Sequence, residues 1–234
     1  MSNPSLDTLK RLVPRGAWNV ARGLQTWLPG TNRHWRRTGG TDAAAYCYEV
    51  FLKHFTLCRE AGMSGIPESV AEIGPGDSIG IGLAALVAGS ERYQALDVVP
   101  YSLRGDNVRI LAELVQCFRE RRPNPSWGWP SYDHMLDDRF FPSGLLDDRW
   151  LARSTAPARV RRIEAALRGA PSDPIRIRYR CPWTAADAIE PDSVDWLWSH
   201  SVMEHVDDVE AAYAAMHLWL KPGAFLSHQV DLRS

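Results

Sequence analysis

Apolar residues change their spacing several times along this chain, and each change marks an element. Tyr48, Phe51, Leu52 and Phe55 recur at helical spacing, and Gly62 stops the run, which predicts a helix over 42–61. A short apolar run, Val70–Ile73, then reads as a strand that ends in a glycine turn. Beyond it a helical run reaches Gly89, and Tyr93–Val99 reads as a second strand carrying Asp97. Val108, Leu111, Leu114, Val115 and Phe118 predict an amphipathic helix over 107–120. Val160, Ile163, Ala166 and Leu167 predict another over 156–168. Period-two alternation in Ile175–Tyr179 gives a third strand, and Trp196–Trp198 form the interior of a fourth, begun by Asp195. A helix through Tyr213, Met216, Leu218 and Leu220 follows. Lys221-Pro-Gly-Ala then turns the chain into a fifth strand, Phe225–Val230. Strands alternating with helices predict an α/β fold, a doubly wound and mostly parallel sheet.

The turn after the first strand organises the rest. Gly74 and Gly76 lack a Cβ, so the backbone can turn sharply and approach a ligand. Asp97 falls 21 residues after Gly76, where an acid at the tip of the second strand can accept hydrogen bonds from both ribose hydroxyls. The turn reads Glu72-Ile-Gly-Pro-Gly-Asp77 and lacks the third glycine of the dinucleotide fingerprint. Pro75 removes an N–H that a pyrophosphate would use, and Asp77 adds negative charge where a diphosphate would sit. A cationic sulfonium with an amino-acid tail suits this loop better.

In Glu72, Gly74, Gly76 and Asp97 the sequence resembles the class I S-adenosylmethionine-dependent methyltransferases. Their first motif is an acid-x-Gly-x-Gly turn, and their second strand ends in a ribose-binding acid. The resemblance extends over roughly 42–234. It takes in Asp195 before the fourth strand, the start of a helix at Val202-Met-Glu-His-Val206, and Lys221-Pro-Gly-Ala. It implies a Rossmann-like fold and S-adenosylmethionine as cofactor, with S-adenosylhomocysteine as product. Glu72, Gly74 and Gly76, with Pro75 and Asp77 between and beside them, would frame the methionine end. Asp97 would take the ribose, with Val98 next to it. The 182–187 segment, through Pro182, Trp183 and Asp187, would meet the adenine. His200 and Ser201, leaving the fourth strand, would face the methyl-donor side. Members of this family generally have seven strands, whereas five are predicted here. The expectation is that the chain is truncated, or that another subunit covers the open edge, since a bare edge invites pairing.

Methyl transfer to a hydroxyl needs alignment and a proton acceptor. His200, His205 and His228 all fall near the ligand-binding edge, and an ordinary histidine, near 6.5, titrates in the useful range. Each also has a plainer reading: His205 as an orderer of a helix start, His228 as a strand residue, His200 as a backbone contact to the cofactor. His54 and Cys58, four apart on one helix face, form a weak metal signal with no third ligand, so buried packing is expected and no metal is predicted.

Composition narrows the partners. With 27 basic and 28 acidic side chains the net charge is −1, so no global field attracts nucleic acid. Cys47, Cys58, Cys117 and Cys181 lack zinc or Cys-x-x-Cys spacing, no secretory signal opens the chain, and no run spans a membrane; the cytoplasm is expected. Residues 1–41 form a basic arm with Trp18, Trp27 and Trp35. Three uses stay open for it: packing on the domain, peripheral contact with anionic lipid, and lining a substrate channel. Residues 121–152 read as an aromatic-rich insertion that either caps the ligand or docks on the surface by its rings. The leading expectation is methyl transfer to a small molecule, at a hydroxyl of a sugar, glycan precursor or secondary metabolite. A non-catalytic cofactor-binding or scaffold protein and a nicotinamide-dependent oxidoreductase are the alternatives.

Overall fold

The computed structural model describes residues 40–123, 141–183 and 186–232. The elements are α1 (Ala44–Glu60), β1 (Ser69–Ile73), α2 (Gly80–Ala88), β2 (Arg92–Leu96), α3 (Asn107–Arg119), α4 (Asp148–Ser154), α5 (Pro157–Leu167), β3 (Arg176–Arg180), β4 (Val194–His200), α6 (Val209–Trp219) and β5 (Leu220–Gln229). The five strands form one parallel sheet in the order β3-β2-β1-β4-β5. The order reverses between β1 and β4, and open α/β sheets bind ligands at the carboxyl edge of such a switch point. The expected sheet is therefore present.

β1 lies at the centre, and every one of its residues is buried. Val70 and Glu72 face the larger core, with Phe51, Phe55, Tyr93, Trp196 and Trp198, under α1, α2 and α3. Ala71 and Ile73 face a smaller core capped by α6 through Ala212, Ala215, Met216 and Trp219. The α6 face corrects the periodicity reading, because Tyr213 and Leu218 are among the exposed apolar side chains and Leu220 already belongs to β5. Small alanines on the buried face let the helix approach the strand ends closely.

Two further boundaries differ from expectation. Val202–Val206 does not start a helix: Met203–His205 is one 3-10 turn, and α6 begins at Val209 with Asp208 Oδ1 accepting the Ala211 N–H at 2.9 Å. β5 starts at Leu220 and contains Lys221-Pro-Gly-Ala as an irregularity: Val194 pairs with Leu220, Trp196 with Phe225. The anticipated turn thus sits inside the strand. Asp195 secures it, accepting from Lys221 Nζ at 2.6 Å and from the Ser69 N–H at 2.8 Å.

The basic arm through residue 39 and residues 124–140 of the insertion lie outside the described residues. The described remainder of the insertion, 141–152, packs away from the ligand edge. Phe141 and Leu146 are buried, and Trp150 Nε1 donates to the Ala88 carbonyl at 2.7 Å, at the end of α2 opposite the glycine turn. All four cysteines are free; Cys181 alone among them is only half-buried. No helix among the described residues is long and apolar enough to cross a membrane.

Candidate cofactor and acceptor site

The glycine turn is held from three directions. Gly74 and Gly76 have φ of 72° and 77°, in the region that suits glycine. Thr41 Oγ1 accepts the Asp77 N–H at 2.8 Å, and the Thr41 carbonyl accepts from Ser78 Oγ. Asn107 Oδ1 accepts the Ile79 N–H at 3.1 Å. Ile79 stands where a dinucleotide fingerprint would place its third glycine. Cys47 of α1 packs so tightly that a Cβ at Gly80 would lie 2.4 Å from its Sγ. The loop is therefore rigid before any ligand arrives, which lowers the ordering cost of binding.

Beside this loop, at the carboxyl ends of β1 and β2, opens a cleft of about 660 Å³ lined by Gly74, Asp97, Val98, Trp183, Val202 and His205, with the first turns of α6 behind. That volume suits a nucleoside-sized ligand. Asp97 Oδ1 accepts the Val98 N–H at 2.8 Å, while Oδ2 is buried with no hydrogen-bond partner. Burial raises the carboxyl pKa, and the two backbone N–H groups pull it the other way. A buried acceptor left open beside a cleft is what a ribose diol would satisfy. Trp183 is tied in, its N–H donating to the Asp97 carbonyl at 3.1 Å and its ring edge-on to Trp219 at 5.6 Å. Asp97, Val98 and Trp183 thus come together on one wall of the cleft.

Other expected residues are placed elsewhere. Glu72 is fully buried under α2 and accepts from Tyr93 Oη, so it does not reach the cleft. Burial raises its pKa to about 7 against the lowering effect of the Tyr93 bond. Pro75 is buried inside the turn, and Gly76 and Asp77 follow it at half-exposed positions. Pro182 and Asp187 are exposed and do not line the cleft; the Asp187 carbonyl accepts from Arg180 Nη1 at 3.3 Å. Ser201 takes φ 54° and is bound to β5, its N–H donating to the Gln229 carbonyl at 2.8 Å and Oγ to Gln229 Oε1 at 3.0 Å.

The three histidines separate. His205 is exposed and lines the cleft. His228 lies on the α6 side, with Nδ1 2.7 Å from Ser199 Oγ, the ring edge-on to Tyr213 at 5.4 Å, and Nε2 buried without a partner. Burial lowers its pKa. His200 faces α1, edge-on to Tyr46 at 6.1 Å, with Nδ1 3.2 Å from His54 Nε2. Burial and then Lys53 lower the His200 pKa to about 4, so the ring is neutral at pH 7. His54 and Cys58 are both buried, and no group of three potential metal ligands exists among the described residues.

Thr41 and Val202 belong to the site's frame and were not singled out for it by spacing. Thr41 carries no local signal, because the N-cap of α1 is Ala43 and Thr41 bonds instead to the turn 36 positions on.

Residues 155–227 match the family described as "Methyltransferase domain". The match runs from the end of α4 into β5, and over those residues the chain is similar to a methyltransferase domain; the open Oδ2 of Asp97 lies on the wall of the cleft beside them. No curated protein sequence matches the chain. Among solved structures it is similar to the YcgJ protein from Bacillus subtilis, with TM-score 0.36 and 13% identity over 74% of this chain and 49% of that one. It is also similar to phosphoethanolamine N-methyltransferase 2 from Haemonchus contortus in complex with S-adenosyl-L-methionine, with TM-score 0.36 and 15% identity over 83% of this chain and 34% of that one. The chain spans about half the length of the first and about a third of the second.

Proposed function

We propose that this protein transfers a methyl group from S-adenosylmethionine to an oxygen of a small molecule, a hydroxyl of a sugar, glycan precursor or secondary metabolite. The observation that carries the cofactor half is the unpartnered, buried Oδ2 of Asp97 on the wall of the 660 Å³ cleft. When bound, the cofactor supplies a methyl group on a good leaving group, so the protein's work is alignment and proton removal. Asp97 holds the ribose, Val98 and Trp183 bracket the base, and the rigid turn at Gly74–Gly76 lets the backbone approach the amino-acid end. His205, an exposed residue of the cleft lining, takes the proton that an acceptor hydroxyl loses; the buried Nε2 of His228 is walled off from that role. The near-balanced charge favours an uncharged small acceptor over nucleic acid. A cytoplasmic location and a lipid-contacting role for the arm belong to the same reading.

Calorimetric titration with S-adenosylmethionine, S-adenosylhomocysteine and NAD tests the cofactor half, followed by a methyl-transfer screen over hydroxylated acceptors. Binding of the sulfur compounds alone, with turnover on a hydroxylated acceptor, is the expected result. Selective NAD binding would overturn it, and cofactor binding with turnover only on amines would overturn the choice of oxygen.

A further inference from the structure

His54 is 3% exposed, a polar ring set among Phe51, Phe55 and Trp196, and nothing in cofactor binding requires it. A buried polar group persists where its bonds are satisfied, and here they run in a line. Trp196 Nε1 donates to Ser227 Oγ at 3.1 Å; Ser227 Oγ is 3.0 Å from His54 Nδ1; His54 Nε2 is 3.2 Å from His200 Nδ1.

The direction of this line follows from counting protons. An indole N–H only donates, so one lone pair of Ser227 is already taken. Burial lowers the His54 pKa to about 3, so its ring carries one proton at neutral pH. If that proton sat on Nδ1, Ser227 would accept twice, and its own O–H would turn to the Cys58 thiol, a weak acceptor. If it sits on Nε2, every member gives one bond onward: Trp196 to Ser227, Ser227 to His54, His54 to His200. Neutral His200 then carries its proton on Nε2.

We infer that His54 is a positioning residue whose one-way chain from Trp196 and Ser227 fixes His200 as the Nε2–H tautomer, so that the nitrogen His200 keeps for any other partner is a hydrogen-bond donor and not a base. This complements the role given above to His205, since an Nε2–H nitrogen takes no proton.

The test is a long-range 1H–15N correlation spectrum of the full chain, 15N-labelled at histidine, at pH 7. Both His54 and His200 are expected to carry their proton on Nε2. A proton on Nδ1 of His200 overturns the inference. Ser227→Ala is expected to release both rings into mixed tautomers, while Ser227→Thr retains the wild-type pattern. Wild-type tautomers in a folded Ser227→Ala variant would overturn the positioning role; if that variant does not fold, the wild-type spectrum and Ser227→Thr decide. The tautomers are read without any ligand, so the two readings fail separately: failure to bind S-adenosylhomocysteine sinks the cofactor reading and leaves this one standing.

Discussion

Tyr93 donates its phenol hydrogen to Glu72, and the pair lies directly over Gly82, where a Cβ would come 1.9 Å from Tyr93 Cζ. The acid of the glycine motif is thereby turned inward, beneath α2. A carboxyl buried this way prefers its proton, and its pKa rises to about 7 from 4.5. Between those values the folded chain holds a proton that the unfolded chain has lost, so this group makes stability fall as pH rises. Glu72→Gln, neutral at every pH, is expected to match the wild type near pH 4.5 and to be the more stable of the two above pH 7. The gap should open at up to about 1.4 kcal/mol per pH unit inside the window. Urea midpoints across pH 4.5–8 measure it; a constant offset would show that Glu72 is ionised throughout.

Asp97 supports the opposite kind of prediction, one of binding with little change in fold. Its Oδ2 has no partner to lose, and Oδ1 holds two N–H groups at a strand end. Hydrogen bonds to a charged group contribute about 1.5–3 kcal/mol, so Asp97→Ala should weaken S-adenosylhomocysteine binding by roughly 10- to 150-fold. Melting should shift far less than for a core substitution. Calorimetry beside a thermal scan separates the two effects, and equal affinity in the variant would remove the ribose from this pocket.

Much of this was legible because one physical rule governed it. Helical spacing at Tyr48–Phe55 and period two at Ile175–Tyr179 gave α1 and β3 within a residue or two, since each buries one stripe against the sheet. Gly74, Gly76 and Asp97 were legible because a tight turn and an acid at a strand tip carry chemistry in their spacing. Glu72 was misplaced because sequence distance does not say which face a central strand residue takes. α6 was misjudged because alanines, not the larger Tyr213 and Leu218, make its buried face. The line from Trp196 to His200 joins residues up to 173 positions apart, and no local pattern announces it.

His54 gives a pH prediction of opposite sign to that of Glu72. Its pKa falls to about 3 on folding, first through burial and then through His200, His228 and Lys53. Below 6.5 the unfolded chain takes up a proton that the folded chain refuses. This contribution is therefore complete above pH 6.5 and is lost as pH falls toward 3. His54→Phe should flatten the acid limb of the stability profile, again by up to about 1.4 kcal/mol per pH unit, at a fixed cost of about 1–2 kcal/mol for the lost hydrogen bonds. The two titrations oppose each other between pH 4.5 and 6.5, so each variant must be compared with the wild type at the same pH. An unchanged acid limb would mean that His54 is protonated in the fold.

Gly74 and Val202 meet where the turn borders the cleft, and the contact separates two costs that a single substitution confounds. A Cβ at Gly74 would lie 2.4 Å from Val202 Cγ2, and φ of 72° disfavours any side chain there. Gly74→Ala is expected to destabilise the fold by about 2–4 kcal/mol, combining the clash with left-handed strain of about 1–2 kcal/mol. Val202→Ala removes both methyl groups that the new Cβ would strike. The double variant should therefore recover the steric share and keep the strain, leaving it less stable than Val202→Ala alone by about 1–2 kcal/mol. Binding adds a second reading, because both residues line the cleft. If Gly74 serves to let the ligand approach the backbone, S-adenosylhomocysteine affinity should stay reduced in the double variant after stability has partly returned. Recovery of affinity in step with stability would reduce Gly74 to a packing role against Val202.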